Sequence, residues 1–297
     1  MSLQRHAYLV LSHSNFNQLS VLLQLLDHPQ NDIYLHIDSS AKGWDAAALQ
    51  ASVRQGTLTI LSKFRPSWGS EALVDATMLL LATASATPHA YYHLLSGMDL
   101  PLRSQDEIHA FFAKAEHAEF VDFKAETVSA DLLRDRLQTY HFMQSTRQRY
   151  PLVRKIDDLS LRLQSLLQVN RLKCCTVRFQ KGSQWFSITQ AFAEYCLAHA
   201  AEYRRYFRFS KCSDELFIQT LLQNSPFLAN RFSREYDDEH ATMRFIDWDR
   251  GTSSSPYVFR SEDYDRILQS GMLFARKFDE RMDAEIIRRI AQSVSNR

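Results

Sequence analysis

Glycine is scarce in this chain: seven residues in 297, scattered rather than clustered. No GxxxxGK[ST], GxGxxG or GxSxG segment can be assembled from them, which removes the usual phosphate-cradling loops and the serine-hydrolase elbow. HExxH is also missing. The four cysteines, Cys174, Cys175, Cys196 and Cys212, lack the paired CxxC spacing of a zinc site, so a reduced chain is the simpler reading. Neither sign of charge dominates, with 35 Lys plus Arg against 34 Asp plus Glu, and nothing in that balance calls for nucleic acid as a partner. Long hydrophobic runs are absent too. The opening MSLQRHAYLVLSHS turns polar at Ser12, His13 and Ser14, well short of a signal or spanning segment, so a cytoplasmic location is expected.

What is present is alternation. With 45% apolar residues the chain can bury one substantial core. HAYLVLS and IYLHID read as buried strands with the helical pattern FNQLSVLLQLLDH between them, a βαβ opening. A helix (WDAAALQASVRQ), a strand (TLTIL), a long helix (SEALVDATMLLLATA) and a strand (AYYHLLS) continue the rhythm of a partly parallel sheet. Ligands of such sheets lie at the carboxyl ends of the strands, where Ser12, His13, Asp38 and Asp99 fall. One unit is expected, with a nucleotide-binding half over 1–123, a variable basic helical segment over 124–175, and an acceptor and catalytic half over 176–297.

Within the middle segment, a helical stretch is expected from about Asp131 to Asn170. Leu152, Ile156, Leu159, Leu163 and Leu166 alternate spacings of four and three there, an apolar stripe. Packing against the same domain is the favoured reading of that stripe. Peripheral membrane contact or a second subunit is the alternative, because Arg147, Arg149, Arg154 and Lys155 crowd its start. His89 and His93 straddle a strand and read as structural.

Three constellations could carry chemistry. In CSDE (212–215), Ser213 reads as a helix N-cap with Asp214 and Glu215 in the first turn, complementing the helix dipole. On sequence alone this structural reading outweighs the catalytic one, although a carboxylate held at a helix start can take a proton from a substrate hydroxyl. Asp247 and Asp249 have the D-x-D spacing that can share a divalent ion, but the motif comes late and arises often by chance. Arg260 and Lys277 read first as surface cations. Lys277 and Arg276 nevertheless lie between Phe274 and Phe278, so a cation should emerge from a partly buried stretch, where two such groups could neutralise a leaving pyrophosphate.

HAYLVLSHSNFNQLSVLLQLLDHPQNDIYLHIDSS, SWGSEALVDAT, YYHLLSGMDLPLRS, GSQWFSIT, CSDELFIQTLL and LFARKFD together resemble glycosyltransferase family 14, the core-2 and I-branching N-acetylglucosaminyltransferases and peptide O-xylosyltransferases, in the family's order over nearly the whole chain. The resemblance implies a GT-A-type α/β fold: a Rossmann-like mixed sheet flanked by helices, with a helical insertion in the middle. It also implies inverting transfer of N-acetylglucosamine or xylose from a UDP-sugar to a hydroxyl of a glycan or lipid-linked glycan, without a metal or other cofactor. Its general base falls on Glu215, with Cys212-Ser213 in place of the family's Ser-Pro. Its diphosphate-binding cations fall on Arg260 and Lys277, nucleotide contacts on His13 and Asp38, and weaker acceptor-side matches on Asp99 and Arg136. A metal-dependent transferase using Asp247 and Asp249, or a glycan-binding protein without catalysis, are the rival expectations.

Overall fold

A computed structural model describes residues 5–115, 117–125, 132, 134–147, 149–252 and 255–296. Strands β1 (His6–Ser12), β2 (Asn31–Ile37), β3 (Thr57–Leu61) and β4 (Tyr91–Ser96) alternate with helices α1 (Phe16–Leu26), α2 (Ala46–Ala51) and α3 (Ala72–Ala84). After β5 (Leu100–Pro101) come α4 (Gln105–Lys114), β6 (Phe120–Val121), α5 (Pro151–Leu166), β7 (Phe186–Thr189), α6 (Gln190–Phe207) and α7 (Phe217–Gln223). β8 (Arg244–Ile246), α8 (Tyr264–Gln269), β9 (Phe274–Arg276) and α9 (Ala284–Ser295) complete the chain.

The main sheet has the order β3-β2-β1-β4-β7-β6. β1 pairs in parallel with both β2 and β4, β2 pairs in parallel with β3, and β7 runs antiparallel to β4 and β6. This is the partly parallel sheet that the alternation predicts, and the mixed sheet flanked by helices that the resemblance implies. β1 and β2 are buried along their whole length, because a strand covered on both faces has no position for an exposed polar side chain. Their period of two sorts the core: Tyr8 and Val10 pack with Leu19 and Leu22 of α1, Phe112 of α4 and Ile290 of α9. Ala7, Leu9 and Leu11 point the other way, towards Leu80 of α3, Phe192 of α6 and Leu221 of α7.

A three-stranded sheet, β5-β9-β8, lies beside the first. Arg244 at the start of β8 ties the two together: its buried Nη2 donates to the carbonyls of Leu94 in β4 (3.1 Å) and Phe186 in β7 (2.6 Å). The chain moves outwards from β1 to β2 and β3, then crosses to the opposite side of β1 as β4. That reversal opens a crevice at the carboxyl ends of β1 and β4, the place where sheets of this kind bind ligands.

Two expectations are corrected here. First, α5 is a helix only over 151–166, preceded by a π-helical turn at Arg134–Gln138, while the start of the predicted stretch near Asp131 lies outside the described residues. Its leucine stripe does not pack on the domain: Leu152, Ile156, Leu159, Leu163 and Leu166 are all exposed. Periodicity reports that a helix face is apolar, not what that face meets. Second, CSDE does not open an α-helix. Ser213–Glu215 form a 3-10 turn after Cys212, whose φ of 52° is left-handed, and Ser213 makes no capping hydrogen bond.

Candidate active site

Glu215 is placed by its backbone. Its carbonyl accepts from the Gly182 N–H at 2.9 Å, and the left-handed Cys212 donates its N–H to the Gly69 carbonyl at 2.8 Å. Gly182 has to be glycine, since a Cβ there would sit 1.8 Å from the Asp122 carbonyl oxygen. The Glu215 carboxylate is partly exposed, and its Oε2 accepts from Arg136 Nη1 at 2.6 Å. Burial works against the Arg136 cation, yet the charge and hydrogen bond of Glu215 outweigh it and raise its pKa. Among the described residues no other group binds the Glu215 carboxylate, so Oε1 is open to an incoming hydroxyl.

Asp214, the neighbouring acid, behaves differently. Its Oδ1 is enclosed and has no hydrogen-bond partner among the described residues. Burial, reinforced by repulsion from Glu215, pushes its carboxyl up to about 7. Two adjacent acids thus sit in different surroundings: Asp214 is enclosed without a partner and its carboxyl is pushed up, while Glu215 is partly exposed and bonded to Arg136.

The segment around β9 alternates as its sequence suggests. Phe274 and Phe278 are fully buried, while Lys277 reaches Ser255 Oγ at 3.4 Å. The Lys277 carbonyl accepts from Phe259 N–H at 2.9 Å, which brings Arg260, the next residue, alongside Lys277. Among the described residues no carboxylate pairs with Arg260 or Lys277. Burial first, and Arg276 second, push the Lys277 pKa below its ordinary value; an ammonium held in those conditions gains from an arriving anion.

The start of α1 clamps this segment beside the loop that follows β1. Gln18 Nε2 donates to the Phe278 carbonyl at 3.1 Å, Gln18 Oε1 accepts from Glu280 N–H at 3.0 Å, and Asn15 Nδ2 donates to Asp279 Oδ1 at 3.0 Å. His13 follows β1 directly. Desolvation lowers its pKa, Asp38 acts in the opposite direction, and Lys277 and Arg281 add repulsion, so His13, Asp38 and Lys277 share one electrostatic neighbourhood. Asp38, at the end of β2, accepts from the N–H and hydroxyl of Ser40.

Asp99 is almost fully buried, and its carboxylate accepts from the Ser96 N–H at 2.9 Å and hydroxyl at 2.8 Å, fixing the turn after β4. It also lies 3.6 Å from Arg276 Nε. Arg276 is a residue that the sequence reading passed over in favour of Lys277. Its guanidinium stacks on Trp185 at 3.9 Å, and Trp185 follows the 182–183 segment that touches Glu215. This chain of contacts links the cation side of the crevice to the Glu215 side. The flanking phenylalanines were the only sequence signal for it.

Asp247 is committed elsewhere. Its Oδ1 accepts from the Arg250 N–H, and its Oδ2 from Arg250 Nε at 2.8 Å and Arg266 Nη1 at 2.7 Å. Asp249 is exposed. Among the described residues no group of three or more His, Cys, Asp or Glu side chains is placed to hold a metal ion. His89 and His93 are buried, bonded to Asp32 and to Ser187 with His6 respectively, in keeping with structural roles.

The sequence profile described as Core-2/I-Branching enzyme matches residues 6–267. Xylosyltransferase 2 of Rattus norvegicus is 22% identical over 305 residues, covering 96% of this chain and 33% of the relative. Xylosyltransferase 1 of the same organism is 21% identical over 304 residues, covering 95% of this chain and 34% of the relative. The chain therefore spans about a third of the length of these curated relatives. Among solved structures, mouse xyloside xylosyltransferase 1 in its apo form aligns with 91% of this chain and 97% of its own, at 10% identity and a TM-score of 0.37.

Proposed function

The chain belongs to the Core-2/I-Branching enzyme family, and on that premise we propose that it is an inverting glycosyltransferase that moves a sugar from a UDP-sugar to an acceptor hydroxyl with Glu215 as the base. Glu215 Oε1 takes the hydroxyl proton as the acceptor oxygen attacks the anomeric carbon from the face opposite UDP. One C–O bond forms while the bond to the diphosphate breaks, so the anomeric configuration inverts. Negative charge grows on the departing β-phosphate, which Arg260 and Lys277 stabilise in this reading. His13 and Asp38 take the nucleotide at the strand ends.

The observation that carries this reading is the pairing of Arg136 with Glu215 at 2.6 Å. It orients a single carboxylate while one oxygen stays available, as a general base requires. Asp99 serves that crevice by shaping its turn and steering Arg276. Metal-independent chemistry is favoured by Asp247, whose oxygens are already held by Arg250 and Arg266, and by two unpaired cations on the diphosphate side. The relatives' names add xylose to N-acetylglucosamine as donor sugar. Turnover of a UDP-sugar panel in excess EDTA tests the proposal: undiminished release of UDP supports it, and activity restored only by Mn²⁺ or Mg²⁺ refutes the cation-pair mechanism.

A further inference from the structure

α5 is inverted relative to an ordinary surface helix. Its inward side carries Asp157 and Gln164, both buried: Asp157 accepts from Arg147 Nη1 at 2.8 Å, and the Gln164 amide exchanges two hydrogen bonds with the backbone of Tyr140, at 2.7 and 2.9 Å. At about 100° per residue the outward side gathers Leu152, Ile156, Leu159, Leu163, Leu166 and Leu167 into an arc of about 100°. Their exposures run from 45% at Ile156 to 82% at Leu166. Exposed apolar surface of this extent and continuity on one helix marks a contact with something that is not water.

Charge decides what that contact is. Lys155 and Arg162, both exposed, fall together along one edge of the apolar arc, and exposed Arg149 and Arg154 stand near the amino end. The helix's two acids offset little of this, because Asp157 and Asp158 share Arg147, at 2.8 and 2.9 Å, which leaves one negative charge against four cations. A second copy of this chain laid along the stripe would bring two rows of cations together; an anionic surface would neutralise them. The patch also extends to aromatics. Tyr150 is exposed at the amino end of α5, exposed Phe142 stacks on Tyr140 at 5.2 Å, and exposed Trp68 meets the same loop through its carbonyl, which accepts from Gln144 Nε2 at 3.4 Å. Such rings favour the level of lipid headgroups.

We propose that α5 lies in the plane of an anionic lipid bilayer, its leucine stripe sunk among the acyl chains and its cations on the headgroups. No helix among the described residues is long and apolar enough to cross a membrane, so the contact is peripheral. α5 hangs on the backbone of Tyr140, and Arg136 sits in the same segment, bonded to Glu215. α5 is thereby tied to the segment that carries the partner of the proposed base.

Co-sedimentation tests this with the whole chain and vesicles of phosphatidylcholine alone or with about one-third phosphatidylglycerol. The wild type is expected to bind the anionic vesicles and to be weakened by raised salt. Leu159→Asp with Leu163→Asp should lower binding by roughly tenfold or more. Lys155→Glu with Arg162→Glu should abolish the preference for phosphatidylglycerol, and all variants should keep the wild-type melting temperature because these side chains touch little else. Failure of the wild type to bind, or full retention by the leucine variant, overturns the proposal. So does a lipid-free dimer that the leucine variant turns into a monomer, which would assign the stripe to a second copy. Binding is read without turnover, so it stands or falls apart from the transferase reading.

Discussion

Replacing Asp214 by Asn should change how stability depends on pH while leaving the shape of the site intact. Burial and the neighbouring Glu215 move the Asp214 carboxyl from an ordinary 3.8 to about 7. In the unfolded chain the carboxyl titrates near its ordinary value, so between about pH 4 and pH 7 the folded protein holds a proton that the unfolded chain has lost. Stability from this group is thus complete at low pH, declines as pH rises through that window, and stops changing above it. The full gap corresponds to about 4 kcal/mol. Partial solvent contact of the residue reduces this to about 2–4 kcal/mol. Glu119, also pushed up to about 7 by burial, slopes the same way in both proteins and cancels in the comparison. Urea unfolding at about pH 5 and pH 8 spans only the upper part of that window, so the wild type should lose about 1–3 kcal/mol more than Asp214→Asn between the two conditions. Equal slopes for the two proteins would refute the assignment of a protonated Asp214.

Other outcomes follow from the same geometry. Lys277→Met should lower kcat by roughly 10²–10³, the loss typical of one preorganised donor at a developing charge, without lowering the melting temperature; UDP release at the wild-type rate would contradict it. Gly182→Ala should destabilise the fold by about 1–3 kcal/mol, since its Cβ meets the Asp122 carbonyl, and should reduce activity because the Gly182 N–H bonds the Glu215 carbonyl; calorimetry and turnover together check both halves. Arg136→Met should lower kcat with the melting temperature little changed, because the Glu215 carboxylate loses the partner at 2.6 Å that orients it; turnover at the wild-type rate would show that the pair is only structural.

Much of the fold can be read from pattern. β1 and β2 are continuous apolar runs because both faces are covered, and α1 announces itself by its spacing. The clustering of strand-end polar residues follows from the parallel pairing. The site is legible in part: β9 shows its buried phenylalanines around a cation, and the positions of Glu215, Arg260 and Lys277 follow from the order of familiar segments. What stayed hidden depends on long-range contacts. Arg136 and Glu215 are 79 residues apart, and no local rule joins them. The D-x-D spacing of Asp247 does not disclose its arginine partners, Arg250 and Arg266. Cys212 adopts a left-handed backbone that capping rules do not foresee in a non-glycine residue, and this is why CSDE forms a 3-10 turn. The stripe on α5 is visible in the sequence, but its direction is not, since inward-facing Asp157 and Gln164 reverse the usual rule through partners in a neighbouring loop.

Steady-state turnover of Glu215→Gln bears most directly on the chemistry. The amide keeps the shape and still accepts from Arg136, but it cannot take a proton. Loss of roughly 10²–10⁴ in kcat with an unchanged melting temperature and unchanged UDP binding is the predicted result. A folded, UDP-binding Glu215→Gln protein turning over near the wild-type rate would contradict the account.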